Sequence, residues 1–236
     1  MQFGLSESQQ ILKDNARKFF AGECPIAEVR RLMETDTAHD AGLWKKMAEQ
    51  GFTGIIFPEE YGGLGLGKVE LALLMEEAGY ALLPGPFFST VAMAGPLLEA
   101  CGTPEQKKKY LEPICNGAAR STVALLEASA SWDPADAQIS GANGRLTGEK
   151  LFVPDAAGAG SILVVGRDGV FIVDANAPGI VIKPMSGMDI GRKLYSVQFN
   201  NTPAEKLGNP AALPQARQVA VVALVSEMVG GMQRTL

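Results

Sequence analysis

The sequence has one histidine and three cysteines in 236 residues, so it is poor in the side chains that form metal and redox centres. Cys24, Cys101 and Cys115 are spaced in a way that matches no metal-binding or redox motif. A small, odd number of cysteines is typical of a reducing cytoplasm, where thiols stay free. We therefore predict a cytoplasmic protein in which each cysteine is a small apolar residue of the interior.

The sequence also lacks a strongly basic region and a long apolar run. Its net charge is −5, and the most compact basic stretch is residues 107–109. A nucleic-acid site needs a larger basic cluster, and a membrane-spanning helix needs roughly 20 apolar residues. Residues 1–4 lack the basic start and the apolar stretch of a signal peptide. These absences predict a protein that binds neither nucleic acid nor membranes.

The first 120 residues carry the spacing of apolar side chains that is typical of helices joined by short loops. Ser6 with Gln9, and Thr103 with Gln106, have the composition of capping boxes at helix N-termini. The predicted helices include residues 43–50, 68–81, 90–101 and 104–114. Residues 1–120 are therefore predicted to form a helical bundle domain.

From residue 121 the pattern changes to short β-prone runs separated by Gly, Asn, Asp and Pro. The predicted strands are residues 122–126, 137–140, 145–152, 161–166, 170–174, 179–184 and 195–199. Strands that follow one another without helices predict a small antiparallel β-barrel over residues 121–212. A helical domain followed by a β domain places the chain in the α+β class.

Residues 213–236 form a third region, in which residues 217–236 have a helical and strongly apolar pattern. A helix this apolar requires a cover, and its pattern has no clear stop signal. We predict that this is the first helix of a C-terminal helical domain, cut short at residue 236.

Seven segments, in order along the chain, resemble the acyl-CoA dehydrogenase family. Four lie in the helical half and three in the β half: residues 51–55, 58–65, 76–79, 102–107, 125–127, 146–150 and 188–194. Each segment is a weak signal alone, but their order makes the resemblance strong, and it covers essentially the whole chain.

The resemblance implies an activity, a cofactor and partners. It implies an FAD-dependent oxidation of an acyl-CoA thioester to its 2,3-enoyl form, by removal of an α-proton and transfer of a β-hydride to the flavin. It also implies that electron-transfer flavoprotein, or a similar acceptor, reoxidises the flavin. The protein is expected to form homo- or hetero-oligomers.

The resemblance further implies two flavin-binding segments. The first comprises Leu125, Leu126 and Glu127, with Leu126 at a position where the family has a hydroxyl residue. The second comprises Phe152, Val153 and Pro154. Phe152 keeps the aromatic character of its position, whereas Pro154 lacks both a hydroxyl group and a backbone donor.

The same resemblance places Ser131 and Trp132 at the mouth of the substrate site. The catalytic glutamate of the family usually lies in the third domain. Where relatives place it on the helix that ends this chain, the matching residue here is Ala220. The resemblance therefore assigns no catalytic residue to this chain. It leaves two alternatives, a non-catalytic subunit of a heteromeric dehydrogenase and a flavin oxidase or monooxygenase of the same fold.

Several other residues have a structural interpretation beside a functional one. The glycines of residues 62–67 favour a tight turn over a phosphate loop, because the Lys-Ser/Thr ending of such a loop is missing. His39 is predicted in a surface loop. Glu227, the one carboxylate of the apolar final helix, favours a buried ion pair or an interface over catalysis. Phe152 fits a flavin wall and a plain core position equally well.

Overall fold

The computed structural model describes residues 4–236, and helices occupy most of the first half of that range. The α-helices are α1 (Glu7–Glu23), α2 (Ile26–Met33), α3 (Ala41–Glu49), α4 (Lys68–Ala81), α5 (Gly95–Cys101), α6 (Pro104–Gln106), α7 (Glu112–Cys115) and α8 (Leu213–Thr235). Two π-helical segments, Phe88–Ala94 and Lys107–Leu111, run directly into α5 and α7. Short 3-10 segments occur at Phe52–Gly54, Glu59–Tyr61, Pro134–Asp136, Ala142–Gly144, Ala156–Gly158 and Pro210–Ala212. The predicted helix over residues 68–81 has the bounds observed for α4.

Both predicted capping boxes are confirmed. At α1, the Ser6 hydroxyl accepts from the Gln9 backbone N–H at 3.2 Å, and Gln9 Oε1 accepts from the Ser6 N–H at 3.0 Å. At α6, Thr103 and Gln106 make the same reciprocal pair at 3.3 and 3.0 Å. Each pair satisfies two backbone donors that a helix start leaves without a helical partner.

Substitution of Thr103 by alanine is expected to lower the free energy of unfolding by about 1 kcal/mol, because a backbone donor of the first turn loses its acceptor. Urea-induced unfolding measures this change. Thr103→Ser keeps the hydroxyl group and is expected to retain most of the stability. Equal losses in the two variants would show that the hydroxyl hydrogen bond is not the cause.

The strands form two sheets. They are β1 (Ser121–Ala124), β2 (Arg145–Pro154), β3 (Ser161–Gly166), β4 (Gly169–Asp174), β5 (Ile180–Met185), β6 (Leu194–Pro203) and β7 (Glu205–Lys206). One sheet has the order β1-β3-β4-β7 and the other the order β2-β6-β5. The α+β class is confirmed. Among the described residues neither sheet closes on itself, so the predicted barrel is not confirmed.

Two predictions about the strands were wrong. One strand pair is parallel and not antiparallel, and one predicted strand is absent. β1 runs parallel to β3, whereas the other strand pairs are antiparallel. The long connection through β2 makes the parallel pair possible. Residues 137–140 form no strand, because the backbone N–H groups of Gln138 and Ile139 donate to the carboxylate of Glu127 instead of a neighbouring strand.

The first sheet is buried on both faces, so the described residues form three layers. On β3, Leu163 and Val165 pack in a core shared with the helices, whereas Ile162 and Val164 pack in a core between the two sheets. Burial on both faces explains why β3 reads as an uninterrupted apolar run. The helix α8 packs on α4 and is therefore part of the helical layer.

The helix α8 is buried along one face only. Its buried residues include Ala216, Val219, Ala223 and Gly230. Its opposite face exposes large apolar side chains, namely Val221, Val222, Leu224, Val225, Met228 and Met232. The observed start at Leu213 is four residues before the predicted one.

Candidate functional site

The two predicted flavin segments lie side by side at the edge between the two sheets. The backbone N–H of Leu151 donates to the carbonyl of Leu126 at 2.9 Å, which forms an isolated bridge between the segments. The hydroxyl of Thr122 donates to the carbonyl of Pro154 at 2.5 Å. Residues 125–127 and 152–154, which are far apart in sequence, therefore lie next to each other in the fold.

A β-bulge in β2 decides which side chains of the second segment reach the surface. The pairing of β2 with β6 shifts between Lys150 and Val153, and Phe152 has a φ of 54°. A left-handed backbone is uncommon for a bulky residue without a special reason. The bulge turns the Phe152 ring outward, where it is 47% exposed, and turns Val153 inward.

The side chains of Val153 and Pro154 consequently face the protein and not the solvent. Val153 packs between the sheets with Leu146 and Tyr195, and Pro154 is buried. Phe152 is therefore the one side chain of this segment that presents a broad surface to a ligand. Of its two interpretations, a plain core position is wrong.

Glu127 is held inside the protein by three hydrogen bonds. Its carboxylate accepts from the backbone N–H groups of Gln138 at 2.9 Å and Ile139 at 3.2 Å, and from Lys150 Nζ at 2.8 Å. Burial opposes the charge, but these hydrogen bonds outweigh it and lower the pKa of Glu127. Glu127 is thus a fixed anion at the base of the loop, with its carboxylate engaged within the protein.

Lys150 is a residue of this region that sequence reasoning missed. Its side chain has no exposed surface, and its ammonium also donates to the carbonyl of Leu125 at 2.9 Å. Burial lowers the pKa of Lys150, and the Glu127 carboxylate opposes that shift. The alternation of side chains along β2 contained the signal, because Lys150 has the same parity as the buried Leu146.

Ser131 and Trp132 lie on the loop that follows the first segment. The Ser131 hydroxyl donates to the carboxylate of Asp136 at 2.6 Å and is therefore engaged within the loop. The Trp132 side chain is 63% exposed, and Arg217 of α8 donates to its carbonyl at 3.0 Å. This hydrogen bond brings the loop next to the exposed apolar face of α8.

The helix α8 also places Ala220 and Glu227. Ala220 is half-buried and has no ionisable group. Two turns further on, Glu227 accepts from Arg192 at 2.7 Å, which confirms the predicted ion pair. Burial raises the pKa of Glu227, and Arg192 opposes the shift.

A second buried carboxylate, Asp155, lies next to this pair at the junction of the helical layer, the sheets and α8. Its side chain accepts from the Ser89 hydroxyl at 2.6 Å, and its N–H donates to the carbonyl of Lys193 at 2.9 Å. Burial raises the pKa of Asp155 to about 6, although Ser89 and Arg192 act in the opposite direction.

The cavities near this junction do not coincide with the predicted flavin segments. A cavity of about 360 Å³ lies between α2, α4 and α8, with Arg192 and Glu227 on its wall. None of the residues predicted to bind flavin lines it.

His39 and the three cysteines lie in half-buried or buried positions of the fold. His39 lies in the loop before α3, as predicted, and its side chain is half-buried. Burial, together with the charge of Arg120, lowers its pKa. The prediction of interior cysteines is confirmed, because all three are buried. Burial raises the pKa of Cys24 and Cys101 to about 11 and that of Cys115 to about 12.

No helix within residues 4–236 combines the length and the apolar character needed to cross a membrane.

Comparisons with known proteins agree with the architecture. The family model "Acyl-CoA dehydrogenase, N-terminal domain" matches residues 6–118. The acyl-CoA dehydrogenase FadE12 of Mycobacterium tuberculosis is 34% identical over 164 residues, which cover 62% of this chain and 42% of that protein. The chain spans about half the length of the curated relatives it matches.

Solved structures extend the similarity to nearly the whole chain. A variant of the Tcur3481-Tcur3483 steroid ACAD is 32% identical, with a TM-score of 0.84, over 95% of this chain and 63% of that chain. An acyl-CoA dehydrogenase of Bacillus anthracis, solved in complex with FAD, is 25% identical, with a TM-score of 0.82. That match covers 96% of this chain and 42% of the Bacillus chain.

Proposed function

This chain belongs to the acyl-CoA dehydrogenase family, and we propose that the protein that carries it oxidises an acyl-CoA thioester to its 2,3-enoyl form with FAD. The observation that carries the proposal is the contact between residues 125–127 and residues 152–154. The second of these segments includes the outward-facing ring of Phe152. The FAD complex of the Bacillus anthracis relative supports this choice of cofactor.

The ring of Phe152 fits a planar flavin, whereas Leu126 and Pro154 depart from the family pattern. The Phe152 ring, turned outward by the bulge, would form an aromatic wall. The carbonyls of Leu125 and Leu126 are engaged by Lys150 and Leu151, so contacts from the first segment would come from backbone N–H groups. The side chains of Leu126 and Pro154 offer no hydrogen-bond donor.

When bound, the flavin would supply the hydride acceptor. The chain's own contribution is to position the ring and to exclude water with the apolar surfaces of Phe152, Trp132 and α8. Neither Glu127, held by three hydrogen bonds, nor Ala220 is available to remove the α-proton. In this proposal none of the residues that the resemblance assigns acts as the catalytic base.

The second candidate function is a non-catalytic subunit that pairs with an active relative. Leu126 and Pro154 depart from the family pattern in the direction of weaker flavin binding, and the resemblance assigns no catalytic base to this chain. The steroid ACAD at 32% identity is named for two proteins, Tcur3481 and Tcur3483, which supports a heteromeric assembly. The exposed apolar face of α8 also favours an oligomer.

We further propose that the protein is cytoplasmic, and that electron-transfer flavoprotein or a similar carrier accepts the electrons. The second proposal applies only if the first candidate function is correct, because a non-catalytic subunit needs no acceptor.

The test is a visible absorption spectrum of the complete protein that carries this chain, before and after addition of FAD and then of an acyl-CoA. Flavin bands that bleach with the thioester are expected from a dehydrogenase. A protein that stays colourless with excess FAD, but becomes active with a co-purified relative, would establish the subunit function. Oxygen consumption during the bleach would identify an oxidase or a monooxygenase.

A further inference from the structure

We propose that Lys150 is a positioning residue for the flavin, because its buried ammonium fixes the two flavin segments and the loop between them in one arrangement. This inference rests on the proposed function, since it assumes that these segments bind the cofactor. It assigns a role to a residue that does not itself touch the ligand.

The first observation is the complete burial of a charged side chain between the two segments. Lys150 lies on β2, two residues before Phe152, and its side chain has no exposed surface. Its ammonium donates to the carbonyl of Leu125 at 2.9 Å and to Glu127 Oε1 at 2.8 Å. One cation on β2, just before the second segment, therefore bonds both ends of the first segment.

The second observation is that Glu127 extends this connection to the following loop. The same carboxylate accepts from the N–H groups of Gln138 and Ile139. The chain from Glu127 to Gln138, which contains Trp132, is thus closed into a loop at its base. Because Glu127 serves both Lys150 and the loop, loss of the ammonium would loosen the segments and the loop together.

The third observation concerns the bulge. The ladder between β2 and β6 is regular from Gly148 to Lys150 and resumes at Val153, with the strained Phe152 between them. A left-handed bulky residue persists only when its surroundings fix it. The ammonium of Lys150 anchors the strand on the N-terminal side of the bulge, and buried Val153 anchors it on the other side.

An apolar side chain of similar size would fill this space at lower electrostatic cost. Replacement of a buried ion pair by apolar residues is often neutral or stabilising. A buried lysine that nonetheless bonds a backbone carbonyl and a carboxylate is better explained by the arrangement it specifies than by stability. Removal of the ammonium alone leaves the Glu127 carboxylate without its cation and is expected to lower stability as well. The test therefore compares FAD affinity with that of a variant that loses stability elsewhere.

The experiment compares Lys150→Met, which keeps the apolar stem and removes the ammonium, with the wild-type complete protein. FAD affinity is measured by titration of flavin fluorescence. Hydrogen–deuterium exchange of residues 125–139 is measured without FAD. At least a tenfold loss of FAD affinity and faster exchange in residues 125–139 are expected from Lys150→Met.

Two control variants separate positioning from general destabilisation. Thr103→Ala lowers stability far from the segments and is expected to leave FAD affinity unchanged. Glu149→Gln alters the neighbouring exposed residue of β2 and is also expected to leave it unchanged. If Lys150→Met does not fold, Glu127→Gln carries the test, with an expected loss of FAD affinity of at least threefold.

The outcomes distinguish this inference from the proposed function. A wild-type protein that fails to bind FAD overturns both. A wild-type protein that binds FAD, while Lys150→Met binds it equally well, overturns the positioning role and leaves the proposed function intact. A loss of affinity in Thr103→Ala as large as that in Lys150→Met would also overturn it, because stability alone would then explain the effect.

Discussion

Substitution of Gly230 by alanine is expected to lower the free energy of unfolding by about 3 kcal/mol. The helices α4 and α8 approach so closely that a Cβ at Gly230 would lie 1.8 Å from the carbonyl oxygen of Glu76 and 2.7 Å from the backbone N of Tyr80. Both obstacles are backbone atoms, so the helices must separate to admit a methyl group. The approach is reciprocal, since a Cβ at Gly79 would lie 1.9 Å from the carbonyl oxygen of Glu227.

The adjacent glycine provides a matched control. A Cβ at Gly231 would find its nearest neighbour, the carbonyl oxygen of Gly79, at 3.9 Å. Gly231→Ala is therefore expected to be neutral or to stabilise by about 0.5–1 kcal/mol through helix propensity. Urea-induced unfolding of both variants gives the comparison. Similar stabilities for the two variants would show that α4 and α8 do not pack at this distance.

This helix contact also matters for the site. It sets the rotation of α8, which carries Ala220 and the carboxylate of Glu227 and which presents its apolar face next to Trp132. A separation of α4 and α8 would therefore change the surface that faces a substrate or a partner helix. Gly230→Ala is expected to weaken the ion pair of Glu227 with Arg192 as well as the packing.

The helices were predictable because their signals are local. Residues 68–81 carry an uninterrupted pattern bounded by a glycine, and the capping residues Ser6 and Thr103 act within three residues of themselves. The strand over residues 161–166 was equally clear. What a local pattern does not contain is the partner of each strand, so the parallel pair of β1 with β3 and the division into two sheets were missed.

For the two predicted flavin segments, the sequence indicated the stretches of chain but not the orientation of their side chains. The resemblance pointed to residues 125–127 and 152–154, which the fold brings together. It gave no sign that Val153 and Pro154 turn inward, because the bulge at Phe152 needs a backbone conformation that its sequence does not favour. The false strand at residues 137–140 has a similar origin, since its N–H groups bond to the side chain of distant Glu127.

The buried carboxylate of Asp155 is expected to make stability depend on pH. Its pKa is raised to about 6 in the folded state from an ordinary value near 3.8. Between these two values the folded protein binds more protons than the unfolded chain, so stability is greatest at low pH in this window and falls as pH rises through it. The shift of about two pKa units corresponds to roughly 2–3 kcal/mol.

The measurement compares the wild-type protein with Asp155→Asn at pH 4.5 and pH 7.5. The asparagine has no charge to bury, and its carbonyl oxygen can still accept from Ser89. The stability of Asp155→Asn relative to wild type is therefore expected to rise by roughly 2 kcal/mol between the two pH values. Because the comparison is a difference between two proteins, titration of His39 and of other carboxylates largely cancels.

Ser89→Ala tests the cause of that pH dependence. The Ser89 hydroxyl donates to the Asp155 carboxylate at 2.6 Å and thereby favours its charged form. Without it the pKa of Asp155 is expected to rise further, which moves the loss of stability to a higher pH. Glu227→Gln removes the neighbouring carboxylate, whose pKa is also raised by burial. This variant therefore shows how much of the pH dependence comes from Glu227. A relative stability of Asp155→Asn that does not change with pH would mean that Asp155 is already charged at pH 4.5, and that Arg192 and Ser89 outweigh its burial.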